Sequence, residues 1–135
     1  MKKIISFVVA LALIGSLVGC ISTNSKFKVE FKESKVVTID FSSGTEDMLL
    51  LFFECTNESD DTVTPMNSVK IKAFQNGIAL DFCTLYDLEE MGEAIPCDTE
   101  MQGGASAAVV WFFELNDDSP VSVEVDGESF VVDVK

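Results

Sequence analysis

The stretch Val121-Ser-Val-Glu-Val-Asp-Gly-Glu-Ser-Phe-Val-Val-Asp-Val134 decides the fold class. Val121, Val123 and Val125 alternate with Ser122 and Glu124, so one face of an extended chain is apolar and the other polar. Asp126-Gly127 follows, then Phe130, Val132 and Val134 resume the alternation. Such a pair of runs around an Asp-Gly step predicts a C-terminal β-hairpin.

The same period runs upstream. Gly103-Gly104 opens a long strand from Ala105 to Leu115, with Ala107, Val109, Trp111, Phe113 and Leu115 as its inward set. Trp111 and Phe113 therefore read as core residues. Phe112 and Val110 point the other way, under the preceding acidic loop or toward a partner surface. Val69, Ile71 and Ala73 alternate with Lys70 and Lys72, Asn76-Gly77 makes a tight turn, and Ile78 to Cys83 continues as a strand. Met48 to Phe53 is apolar without a break, as expected of a central strand covered on both faces. Cys55 shares a face with Leu49, Leu51 and Phe53, and Thr56 to Asp61 form a turn, which accounts for the sequon-like Asn57-Glu58-Ser59. Nearer the N-terminus, Phe27, Val29 and Phe31 form one strand, Glu33-Ser34 a turn, and Val37, Ile39 and Phe41 a second strand ending at Ser42-Ser43-Gly44. Residues 84–100 are irregular and acidic, with one helical turn near Leu85 to Met91. The expected fold is all-β: an immunoglobulin-like β-sandwich of seven to eight antiparallel strands.

The first residues follow a different rule. Lys2 and Lys3 precede an apolar run from Ile4 to Val18, interrupted by Ser6, Gly15 and Ser16. The run falls short of the roughly 20 residues of a membrane span and fits a secretory signal peptide. It ends Leu17-Val18-Gly19-Cys20, which resembles the bacterial lipobox. That resemblance implies a diacylglyceryl group on the sulfur of Cys20 and removal of the residues before it. Two acyl chains hold a protein on a bilayer where a single chain is marginal. The chain then divides into a signal peptide (1–19), a lipidated tether (20–25) and one domain (26–135), anchored through Cys20 on the extracytoplasmic face of the cell membrane.

Charge narrows the partners. Seven lysines and no arginine stand against all 23 acidic residues after Cys20, a balance of −16. Such a surface repels nucleic acid and anionic lipid headgroups; it allows a partner with a basic surface, such as an envelope protein, but acidity alone does not imply one.

Chemistry is narrowed further. There is no histidine, so neither Ser-His-Asp nor Cys-His catalysis is available. Gly103-Gly104 lacks the flanking Lys-Ser/Thr of a phosphate loop and leads into a strand. The expected protein is not an enzyme and needs no cofactor. Asp87, Glu89, Glu90, Glu93, Asp98 and Glu100 cluster without a basic residue among them. They read as a solvated loop, a dock for a basic partner, or a calcium site; no Asp-x-Asp-x-Asp-Gly pattern shapes the last. In an oxidising compartment Cys83 and Cys97 are the expected disulfide, closing a 15-residue loop worth about 3 kcal/mol. Pairings through Cys55, or three free thiols, are the alternatives.

Three phrases add a family resemblance: Phe53-Glu54-Cys55-Thr56-Asn57-Glu58-Ser59, Phe74-Gln75-Asn76-Gly77-Ile78-Ala79-Leu80, and Phe113 to Val121 with its Asp118-Ser119-Pro120 turn. In this order they resemble a domain-of-unknown-function family of small Gram-positive lipoproteins with an immunoglobulin-like fold. The family has Pro-Gly where this chain has Gly103-Gly104, and an aromatic residue near Cys55. The resemblance implies the fold and is silent on activity. The resulting expectation is an interaction or accessory domain of unknown ligand on a membrane-anchored lipoprotein. The alternatives are a small-molecule or ion-binding lipoprotein using the 84–100 loop, a purely structural envelope component, and a carboxylate-based hydrolase.

Overall fold

The computed structural model describes residues 26–135 in full and residues 3–5 and 20–23 as backbone; positions 1–2 and 6–19 of the expected signal peptide, and tether residues 24 and 25, lie outside the described residues. Eleven strands are described: β1 (Lys3–Ile5), β2 (Cys20–Thr23), β3 (Phe27–Phe41), β4 (Gly44–Asn57), β5 (Ile71–Gln75), β6 (Ile78–Ala79), β7 (Phe82–Cys83), β8 (Ile95–Pro96), β9 (Ser106–Glu114), β10 (Val121–Val125) and β11 (Glu128–Val132). One short helix, α1 (Pro65–Ser68), carries Thr64 as its cap, and a 3₁₀ turn spans Glu89–Met91. No helix among the described residues is long and apolar enough to cross a membrane.

Turn chemistry sets the hairpins. Asp126 and Gly127 take φ of 47° and 94°, and Asn76 and Gly77 take 53° and 81°. Positive φ at both central residues is the turn whose twist matches paired strands. The first turn joins β10 to β11 with Val123 opposite Phe130, and the second joins β5 to β6. With β10 also pairing β5, these make a four-stranded antiparallel sheet in the order β11-β10-β5-β6.

The larger sheet is built on β3, β4 and β9. β4 lies between the other two, with Leu51 opposite both Ser34 and Trp111. β1 and β2 pair with the outer edge of β3, while β7 and β8 pair with β9, β8 in parallel. The two sheets pack face to face as a β-sandwich. Between them lie Phe27, Val29, Phe31, Leu49, Leu51, Phe53, Val109, Trp111 and Phe113, met by Val121, Val123, Val125 and Val132 from the smaller sheet. Trp111 stands edge-on to Phe53, 5.5 Å between ring centres.

Three expectations are corrected. Glu33-Ser34 is not a turn: β3 runs unbroken from Phe27 to Phe41, and a bulge between Phe31 and Glu33 keeps it in register with β4. The bulge shifts the alternation by one, so Val36 joins the sandwich core and Val37 and Ile39 face outward. Ile78 to Cys83 is not one strand. β6 ends at Ala79 in the smaller sheet and β7 begins at Phe82 in the larger, so this segment is the crossover. The acidic stretch is a layer as well as a loop. Leu85, Leu88, Met91 and Ala94 pack on the outer face of the larger sheet over a second apolar cluster that includes Leu50, Phe52, Val110 and Phe112.

Two buried amides fasten the loops. Asn57 is fully buried; its Nδ2 donates to the carbonyls of Asp61 (2.8 Å) and Met101 (2.9 Å), and its Oδ1 accepts from Ser59 N and Oγ. Gln75 donates through Nε2 to Asp117 O and Ser119 O, and accepts at Oε1 from the N–H groups of Asn116 and Asp117. Gln75 thus uses both ends on main chain distant in sequence, whereas Asn57 gathers its own turn and ties it to the distant Met101. The approach beside Asn57 is tight: a Cβ on Gly103 would sit 2.5 Å from the carbonyl oxygen of Ser59, which explains a glycine there.

Gln75→Leu keeps the volume but orphans two N–H groups and two carbonyls in the 116–119 turn. We expect a loss of about 2–4 kcal/mol in urea unfolding of the purified domain, with the same change at exposed Gln102 near neutral.

Candidate functional site

The residues singled out from sequence fall in four places. Cys20 begins β2, which pairs with β3 opposite Glu30; its side chain is not among those described. Five residues separate it from Lys26, where the full description begins.

The cysteines do not pair as expected. Cys55, Cys83 and Cys97 are all free. Cys97 lies in the sandwich core with Cys55, whereas Cys83 packs in the outer cluster, so the larger sheet separates the two partners of the expected cross-link. Sequence spacing gave the loop length but not the face. Burial pushes the thiols of Cys55 and Cys97 up to about 12, with Glu54 adding to the effect on Cys55 and Asp98 on Cys97. Cys83 is also raised, first by burial and then by Glu114. A thiol kept protonated is a poor nucleophile.

The acidic segment is dispersed rather than convergent. Asp87, Glu89, Glu93 and Glu100 are exposed, Glu90 is buried in the 3₁₀ turn, and Asp98 accepts a hydrogen bond from the hydroxyl of Tyr86. That bond raises the Tyr86 pKa. Among the described residues no group of three or more metal-ligating side chains comes together. A hollow of about 300 Å³ lies here, lined by Tyr86, Leu88, Met91, Ile95 and Pro96 among others. Leu88, Met91 and Ala94 in its walls also roof the outer cluster.

The outer face of the smaller sheet carries a feature the sequence reading passed over. Val131, Ser122, Phe74 and Ala79 lie in one row across β11, β10, β5 and β6. Val131 is 57% exposed, and with Phe74 and Pro120 it lines a groove of about 360 Å³ edged by Glu124 and Asn76. The signal was present: Phe74 is out of phase with the inward Ala73 and Gln75, and Val131 with Phe130 and Val132. A single outward apolar residue carries little weight in sequence, and only sheet order places these two beside one another.

The thiols give a test with a fixed sign. A folded-state pKa above the unfolded value of 9.0 contributes stability that is whole below pH 9 and is lost as pH rises toward 12. Unfolding midpoints should therefore fall over that window, and Cys55→Ala/Cys97→Ala should flatten the fall. At pH 8 an alkylating reagent should modify half-buried Cys83 and reach Cys55 and Cys97 only after unfolding.

Known proteins share the architecture. A conserved hypothetical protein from Bacillus anthracis, known from its crystal structure, superposes with a TM-score of 0.56 at 16% identity, over 87% of this chain and 95% of that one. A functionally unknown protein from Listeria monocytogenes EGD-e gives 0.51 at 10% identity, over 84% of this chain and 81% of that one. At such identities the likeness is one of fold. No curated protein matches the sequence. A family profile covers residues 18–127, so it takes in both amide latches, the 84–100 layer and the first strand of the C-terminal hairpin. On that match the chain belongs to the DUF5067 family, a domain of unknown function.

Proposed function

We propose that this chain is a lipid-anchored lipoprotein of the extracytoplasmic membrane face, and that its immunoglobulin-like sandwich is a binding domain rather than an enzyme. The observation that carries the reading is the Leu17-Val18-Gly19-Cys20 box at the end of an apolar run, six residues ahead of the domain. A cleaved and acylated Cys20 places the sandwich directly against a membrane surface, where a short tether suits contact with another envelope component.

Three features support binding over catalysis. The chain has no histidine, and burial raises the three described thiols, so neither a conventional base nor a thiolate nucleophile is at hand. Asp117, one of the carboxylates around a hollow with Glu46 and Asp47, is held below the usual carboxylate range by the Ser119 N–H; a general acid requires the opposite shift. The groove of Phe74, Pro120 and Val131 is apolar with a carboxylate at its rim, which suits a polypeptide of mixed apolar and basic character.

Fractionation of cells expressing the full chain tests the anchor. Native protein should sit in the membrane fraction, start at residue 20 and carry acyl chains by intact mass. Cys20→Ala should accumulate as uncleaved precursor or leave the membrane. A cleaved, membrane-bound Cys20→Ala protein would contradict the anchor, and a native protein retaining Met1 would contradict the whole reading.

A further inference from the structure

We infer that, once residues 1–19 are removed, the upper half of β3 pairs edge to edge with the same segment of a second copy. The inference rests on the signal-peptide reading above. β1, the strand that such processing would discard, lies antiparallel on β3, with Lys3, Ile4 and Ile5 opposite Thr38, Val37 and Val36. Its departure uncovers a row of main-chain N–H and C=O groups on a 15-residue strand. Unpaired edges of this kind are usually blunted by proline, by an outward-held lysine or by a bulge. Here Val36, Val37, Thr38 and Ile39 carry none of these. The adjacent Lys35 is turned away, its Nζ donating to Glu90 O (3.1 Å) and lying 5.1 Å over the Phe52 ring. The bulge lies lower, between Phe31 and Glu33.

The segment is complementary to itself. Opposed residues in an antiparallel pair share a face. Pairing about Thr38 therefore sets Val37 opposite Ile39 of the second copy, twice, and Thr38 opposite Thr38. Val37 and Ile39 both lie on the outer face, so the two outer apolar clusters become continuous. Cross-strand pairs of β-branched residues and of threonines are favourable. The paired length runs from Lys35 to Phe41 and stops short of β2, which occupies residues 28–30. The two-fold axis stands perpendicular to the sheet, so both copies present the same face in the same direction, as two chains anchored in one leaflet must.

Thr38→Cys in the full chain, expressed in its own cells, tests this. The substitution gives up one exposed hydrogen bond to Asp47 Oδ1, so the fold should tolerate it. Mild oxidation should join two mature, acylated chains into a species of twice the mature mass, reversed by reductant; the parent chain and Asp81→Cys on another surface should give none. Thr38→Lys supplies an independent readout: opposed like charges at the axis should shift the detergent-extracted lipoprotein from dimer to monomer. Acylated, cleaved chains that stay monomeric in both assays would overturn the pairing and leave the anchor standing. A cross-link to a different protein would overturn the second-copy assignment. An unacylated chain with Met1 intact would overturn the anchor and the pairing together.

Discussion

Burial of β4 on both faces is the constraint on which the rest of the structure depends. Met48 through Phe53 are each at most 5% exposed, six large apolar side chains in succession. An alternating strand can leave one face wet; this one cannot. At about 1.5–3 kcal/mol for each fully buried side chain, leaving either face open would forfeit a sum comparable to the whole stability of a small domain. Odd-numbered Leu49, Leu51 and Phe53 call for the smaller sheet. Even-numbered Met48, Leu50 and Phe52 call for cover on the opposite side, and the 85–94 segment supplies part of it. The acidic stretch owes its place in the fold to Leu85, Leu88, Met91 and Ala94, and its carboxylates occupy the surface that remains.

Two phrases of the sequence acquire a physical meaning from the two amides. Thr56-Asn57-Glu58-Ser59 places a buried side chain that ties the 58–61 turn to Met101, and Gly103 must lack a Cβ because Ser59 passes so close. Phe74-Gln75-Asn76-Gly77 places the other, which gathers the 116–119 turn. Both amides sit at the end of a central strand, where the chain leaves the ladder and its main-chain groups need partners. These motifs therefore maintain loop geometry at the ends of the sandwich.

The thiols and the charge describe one environment from two sides. Cys55 and Cys97 behave as small apolar residues in the core, which suits a domain that keeps its shape whether or not its surroundings oxidise thiols. The chain carries a large net negative charge, which favours solubility and repels polyanions. On the proposed binding role, the exposed apolar groove on the smaller sheet is the point of contact, since charge steers an approach and apolar burial holds a complex.

Local rules were enough for much of the chain. The strand alternation, the Asp126-Gly127 and Asn76-Gly77 turns, the inward set of the 105–115 strand and the two-sided burial of Met48–Phe53 all follow from periods of two and from backbone preferences, which neighbouring residues decide among themselves. The Lys2-Lys3 pair, the apolar run and the Leu17-Val18-Gly19-Cys20 pattern, on which the proposed anchor rests, are legible for the same reason, as strictly local sequence. What only the tertiary structure decided depends on which face or which sheet a residue joins. A one-residue bulge in β3 turned an expected turn into a continuous strand and reversed the faces of Val36 and Val37. The Ile78–Cys83 segment changed sheets midway. Cys83 and Cys97 came to lie on opposite sides of a sheet that their spacing does not reveal. Phe74 and Val131 met across a strand inserted between them. Each of these outcomes is set by long-range packing, in which a short shift along the chain exchanges one face for the other, and no local pattern records which exchange the core will favour.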